Sequence, residues 1–334
     1  MNGKNRVSAI SAVLMLALLL MLLSGCGGIG SAPEQAAPAS ESESVGAAPA
    51  EAASENETAE RPEIVVESGR QDGERFEAVI FLEGMEETVN YEHVRNDALG
   101  FEMDYDYERF ERRSESDREC FVSRYDLPEN PENYLEVSYN PQDAETVAAA
   151  VAAVLSLDYD IIREPYTLEG AGECIRIDAS EAKGGMGTPD LLQMVYIIPA
   201  ADGCRVAVAH YSFESAEGFG RRFGYFMNSF SVLACQGEKR VSDEQALAAV
   251  KRYCQISNPD LMSIEKAGEV PVYWELSSSD EQQIVVLFRS YTGAQIRFYI
   301  DPVSGNTYVT EFVPGISSEE TRTDESLNVW DYTF

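Results

Sequence analysis

Two histidines, His93 and His210, and five cysteines beyond residue 26 carry the nucleophilic and metal-ligating chemistry of this 334-residue chain. The cysteines are Cys120, Cys174, Cys204, Cys235 and Cys254, and no Cys-x-x-Cys or Cys/His spacing of a zinc site joins them. Their odd number leaves at least one thiol unpaired. Cys174 and Cys204 fall in two expected strands, where they either face each other as a disulfide or stay buried as free thiols. His210 shares a strand face with Cys204, Val206 and Val208, the setting of a packed histidine rather than of a general base. No Gly-x-Ser-x-Gly elbow, His-Glu-x-x-His helix, P-loop or dinucleotide glycine fingerprint occurs. Gly184-Gly185-Met186-Gly187 runs into Pro189 and reads as a loop, and Asp104-Tyr105-Asp106 with Glu108 lacks the glycine and closing glutamate of a calcium loop. No catalytic residue, metal ligand or cofactor is expected. The one cluster suited to recognition is Arg289, Tyr291, Arg297 and Tyr299, flanking an expected hairpin tip at Thr292-Gly293-Ala294. Arginine and tyrosine are favoured interface anchors. The competing reading is that these arginines pair with carboxylates of the same chain.

Cys26 has a different chemistry available. Lys4 and Arg6 precede an apolar stretch of roughly a dozen residues, short of the ~20 needed to span a bilayer. That stretch ends in Leu23-Ser24-Gly25-Cys26, which resembles the lipobox of bacterial lipoproteins. The resemblance implies that Cys26 receives a thioether-linked diacylglycerol and becomes the first residue of the mature protein. Two acyl chains suffice for stable anchoring where one does not. The membrane is thus an expected partner through this anchor, and the expected location is the outer face of the cell membrane. Residues 27–63 are Ala, Pro, Ser, Glu and Gly with a single basic residue, Arg61. Such a segment buries too little apolar surface to offset its ordering entropy and reads as an acidic leash, its ends about 35 Å apart as a flexible coil.

The formal net charge is −33, and removal of residues 1–25 would take away two cations and no acid. With no basic stripe, a nucleic-acid partner is disfavoured. The 58 acids also deprive any paired-carboxylate motif of discriminating power, although a cell-envelope hydrolase working with two carboxylates stands as an alternative, as does a solute- or metal-binding lipoprotein.

The elements that must position these residues follow from periodicity. Over 64–236, alternation predicts strands at 76–82, 88–94, 99–105, 120–125, 134–139, near Ile161, and at 174–177, 191–198 and 205–209. Asp143 caps a helix whose apolar stripe is Val147, Val151, Val154 and Leu155. A last helix carries Phe219, Phe223, Phe226 and Phe230 on one face, with Arg221, Arg222 and Asn228 away from it. Over 240–316, Ser242-Asp243-Glu244-Gln245 forms a capping box, and strands are expected at 272–276, 284–288, 296–300 and 307–313. The turn Asp301-Pro302-Val303-Ser304-Gly305-Asn306 joins the last two. Residues 317–334 read as a polar tail whose Trp330, Tyr332 and Phe334 dock back onto a domain.

Hairpins and helices in this order argue an α+β chain built on antiparallel sheets. The run from Leu99-Gly100-Phe101-Glu102-Met103 through Tyr134-Leu135-Glu136-Val137, the Ala-rich helix, the strand 170–177 and Asn228-Ser229-Phe230 resembles the PsbP-like α/β/α sandwich. The helix and small sheet that follow, with Asp301 to Ser304-Gly305 between two strands, are similar to a PepSY-like domain. The first resemblance implies a non-enzymatic docking or accessory domain; the second implies a module that binds, packs or inhibits peptidases. The expected function is a membrane-anchored extracellular module that binds a protein or peptide.

Overall fold

A computed structural model describes residues 69–82, 84–127, 131–182, 191–257, 272–290 and 293–334. The leader, Leu23, Ser24, Gly25, Cys26, the leash and Tyr291 lie outside the described residues.

The chain is α+β, with antiparallel sheets throughout. In the first unit the strands are β1 (Arg75–Leu82), β2 (Met85–Asn96), β3 (Phe101–Asp106), β4 (Phe110–Ser114), β5 (Arg118–Ser123), β6 (Tyr134–Asn140), β7 (Tyr159–Leu168), β8 (Gly172–Ala182), β9 (Leu191–Ala200), β10 (Gly203–Ser212) and β11 (Ser231–Val232). Helix α1 (Ala144–Leu155) follows β6, and α2 (Arg221–Asn228) follows β10. One sheet has the order β1-β2-β3-β11 and the other β4-β5-β6-β10-β9-β8-β7.

Period-two alternation gives the larger sheet two buried faces. On one, Val137, Tyr196 and Ala207 join Phe101 of the smaller sheet and Phe223 and Phe226 of α2 in a single cluster. On the other, Ile177, Val195, Ile197 and Val206 meet Val147, Val151 and Leu155 of α1. Asp143 caps α1 as expected, its Oδ1 accepting from the Thr146 amide at 3.0 Å.

Several expectations change. The register runs Ile175–Ile197–Val206 across β8, β9 and β10, so Cys204 shares its face with Ile175 and turns its back on Cys174. The two cysteines belong to opposite clusters, and all five described cysteines are free thiols. β4 arises from Phe110-Glu111-Arg112-Arg113-Ser114, whose charges hide its alternation. Arg222 and Asn228, expected away from the aromatic stripe, are buried. The Arg222 guanidinium reaches Asp106 of β3 at 3.3 Å and Glu87 of β2 at 2.7 Å, partners distant in sequence.

The second unit starts with α3 (Asp243–Ser257), where Ser242 and Gln245 form the reciprocal capping box at 3.1 Å in both directions. A five-stranded sheet follows in order: β12 (Tyr273–Ser279), β13 (Ile284–Arg289), β14 (Gln295–Ile300), β15 (Asn306–Phe312) and β16 (Thr321–Asn328). β16 comes from the stretch read as a polar tail. It pairs with β15 from Asn306↔Asn328 to Glu311↔Thr321, and a 3-10 turn at Val329–Tyr332 then buries Trp330 in the core under α3.

Candidate functional site

The five-stranded sheet has one face against α3, made by Ile284, Val286, Phe288, Ile296, Phe298 and Ile300. Alternation sends Arg289, Arg297 and Tyr299 to the opposite face, so three of the four residues expected to recognise a partner do share a surface. The register extends that surface. Arg297 stands between Leu287 and Thr310, and Thr310 pairs with Arg322; Tyr299 pairs with Tyr308; Arg289 pairs with Tyr273. Tyr299 and Tyr308 stack at 4.7 Å with ring planes 4° apart. The Arg322 guanidinium lies 4.2 Å from the Tyr308 ring centre and that of Arg289 4.9 Å from the Tyr273 ring. Between them Val285 and Leu287 are buried yet join none of the three apolar clusters.

Electrostatics divides this cluster into two parts. Arg297 donates to Glu320 Oε2 at 3.0 Å and to Gln295 Oε1 at 2.6 Å, while the Tyr299 hydroxyl donates to Glu320 Oε1 at 2.8 Å and Thr310 donates to the same oxygen. Burial alone would raise the Glu320 carboxyl, but the Thr310 and Tyr299 hydroxyls and the Arg297 charge hold it below its ordinary value. For Arg297 and Tyr299 the intramolecular alternative therefore describes the structure. Arg289 and Arg322 differ: both are exposed, and no carboxylate among the described residues lies within 4.0 Å of either guanidinium. Tyr273, Tyr308 and Arg322 were not singled out by sequence. Tyr308 was readable, because it sits two residues from Thr310 on an expected strand. Arg322 was not, because Thr321-Arg322-Thr323-Asp324-Glu325-Ser326 shows no apolar alternation.

Other chemistry-bearing groups are tied up in packing. His93 Nδ1 meets Asp104 Oδ1 at 2.8 Å, and Arg70 lies on the other oxygen of Asp104 at 3.6 Å. His210 stacks on Tyr134 at 4.2 Å. Burial, opposed by Arg118 and Arg252, raises the Glu136 carboxyl. Its cavity of about 50 Å3, shared with Asp117, Arg118 and Arg252, has room for a water or two but not for a sugar ring. Among the described residues no three His, Cys, Asp or Glu side chains are placed to hold a metal ion, and no helix is long and apolar enough to cross a membrane.

No family model matches the chain, and no curated protein matches it. A crystal structure from Bacteroides thetaiotaomicron VPI-5482 is similar at 9% identity, covering 78% of this chain and 90% of that one with a TM-score of 0.27. A likeness at that level carries no argument about fold or function.

Proposed function

We propose that this chain is a lipid-anchored lipoprotein at the outer face of a cell membrane. Its two units, PsbP-like and PepSY-like in element order, act as a non-enzymatic module that binds a protein or peptide. Leu23-Ser24-Gly25-Cys26 after a short apolar leader supports the anchor, and the acidic leash supports a folded part carried away from the lipid. The observation that carries the binding reading is the arginine–tyrosine face of β12–β16, where Arg289 and Arg322 have no carboxylate partner among the described residues in a chain of net charge −33. Tyrosine rings, with two χ angles, lose little entropy on docking, and the planar guanidinium fork matches the geometry of a carboxylate on a partner surface.

Two measurements test this. Labelled palmitate is incorporated into the wild type and lost in Cys26→Ser, which is released from the membrane fraction; a wild type that takes up no label and fractionates with cytosol removes the anchor. A photo-crosslinking residue at Tyr308 captures a partner on intact cells, and Arg289→Glu with Arg322→Glu lowers that capture by roughly 10-fold or more, as loss of two interface anchors does. Undiminished capture in the double variant rules out this face.

A further inference from the structure

An open groove of about 370 Å3 lies in the first unit, between α2 and the β7–β10 part of the large sheet. Tyr166 and Tyr211, both half-buried, line its sheet side, with the buried Tyr196 among them. Tyr166 and Tyr196 meet edge-on at 5.8 Å and 64°, so their rings open in different directions. The Arg176 guanidinium lies 5.2 Å from one ring centre and 5.8 Å from the other. The helix side brings Arg221, Tyr225 and Asn228 beside three small residues, Ala216, Gly220 and Gly224, spaced four apart, and a Cβ on Gly224 would meet nothing within 4 Å. The chain enters α2 irregularly, through a 3-10 turn at Phe213–Ser215 and a π turn at Ala216–Gly220. Such π turns give up regular helical bonding and recur at functional sites.

The charge of the lining is what selects a ligand. The chain has 58 acids against 25 Lys and Arg, yet no carboxylate lines the groove while two arginines do. Asp178 holds Arg176 from outside the lining, at 2.9 Å from both Nε and Nη2. Arg221 is exposed, and among the described residues no carboxylate comes within 4.0 Å of it. A cationic ligand, the usual guest of aromatic cages, would face two guanidiniums. A neutral apolar one would leave Arg221 unanswered. An anion with a flat body satisfies both the rings and the charge, and the volume is in the lower range of small-ligand clefts.

We propose that this groove binds a carboxylate carried next to an aromatic ring, the ring against Tyr166 and Tyr211 and the carboxylate on Arg221. A free aryl acid and the C-terminal aromatic residue of a peptide present that same chemistry. Calorimetric titration of the full-length chain with phenylacetate and with N-acetyl-Gly-Phe, each beside its uncharged amide, tests it. At least one acid saturates with a Kd of ~1 mM or tighter, and its amide binds ~10-fold more weakly or worse. The tighter of the two acids identifies the source. Arg221→Gln reproduces the ~10-fold loss expected for one charge-assisted contact. Gly224→Leu, which fills the groove from an open position, abolishes binding without lowering the melting temperature. The proposal is overturned if neither acid saturates, if acid and amide bind equally, or if Arg221→Gln binds as the wild type does.

Discussion

Individual polar residues do much of the internal fastening in this chain, and their partners are remote in sequence. Arg205 is completely buried on β10, where Nε donates to the Gly100 carbonyl at 2.9 Å, Nη2 to the Leu233 carbonyl at 2.7 Å and Nη1 to Asp202 at 2.9 Å. Gly100 has φ of +72°, and a Cβ there would strike the Arg205 guanidinium and the Leu233 carbonyl, so only glycine serves. His210 shows what such burial does to a titratable group. Its imidazole, pushed down from 6.5 to about 4 by burial and then by the Arg252 charge, stacks neutral on Tyr134. The unfolded chain protonates this histidine near 6.5 and the folded chain does not until about 4. Stability from this group is therefore complete above the unfolded value and is lost as pH falls across that window. His210→Phe keeps a stacking ring without the proton. Urea midpoints for this variant should fall less steeply than those of the wild type between those pH values; parallel curves would assign the acid sensitivity elsewhere.

Strands with an apolar face were legible because the pattern is local. β1, β6 and β14 announce a buried side every second residue, β9 and β13 read as short continuous apolar runs, and the caps of α1 and α3 announce their starts. β4 and β16 were not legible, since each is dominated by polar or charged residues and is held by its neighbour strand rather than by its own apolar face. The same contrast divides the candidate surface: Arg297 and Tyr299 could be placed together from one strand, but the claim of Glu320 on both comes from across the sheet. The turn between β14 and β15 ties the unread strand to the read ones. Gly305 has φ of +72°, and a Cβ there would collide with the Asn328 side chain and the Trp330 indole. Asn328 Nδ2 donates to the Ser304 carbonyl at 3.0 Å, and Trp330 Nε1 to the Val303 carbonyl at 3.1 Å. Gly305→Ala should thus cost about 2–3 kcal/mol through left-handed strain and displaced packing together. Chemical denaturation measures that loss; a cost under ~0.5 kcal/mol would mean that the turn and Trp330 are not coupled.

At the scale of the whole molecule, the segment after β16 acts as a bolt between the two units. Asn140, fully buried at the end of β6, donates from Nδ2 to the Trp330 carbonyl at 2.7 Å and the Thr333 carbonyl at 2.9 Å. Arg252 of α3 donates to the Tyr332 carbonyl at 2.9 Å and lies 4.4 Å from the Phe334 ring, which itself packs against the α1 side of the large sheet. Ser242 at the head of α3 donates to Asp117 of the first unit at 2.8 Å. The seam is polar and buried, so its strength depends on every partner being present: a hydrogen bond made is worth about 1 kcal/mol, but a buried acceptor left empty costs about 1–3 kcal/mol. Asn140→Leu preserves the volume and removes the donor, orphaning the Thr333 carbonyl and leaving the Trp330 carbonyl to the longer bonds from the Thr333 amide and hydroxyl at 3.4 and 3.2 Å. The wild type should melt in a single calorimetric transition, and Asn140→Leu should separate it into two, with the second unit unfolding first because β16 and Trp330 lose their external hold. A variant that still melts in one transition at the wild-type temperature would show that the units are joined by something other than this bolt.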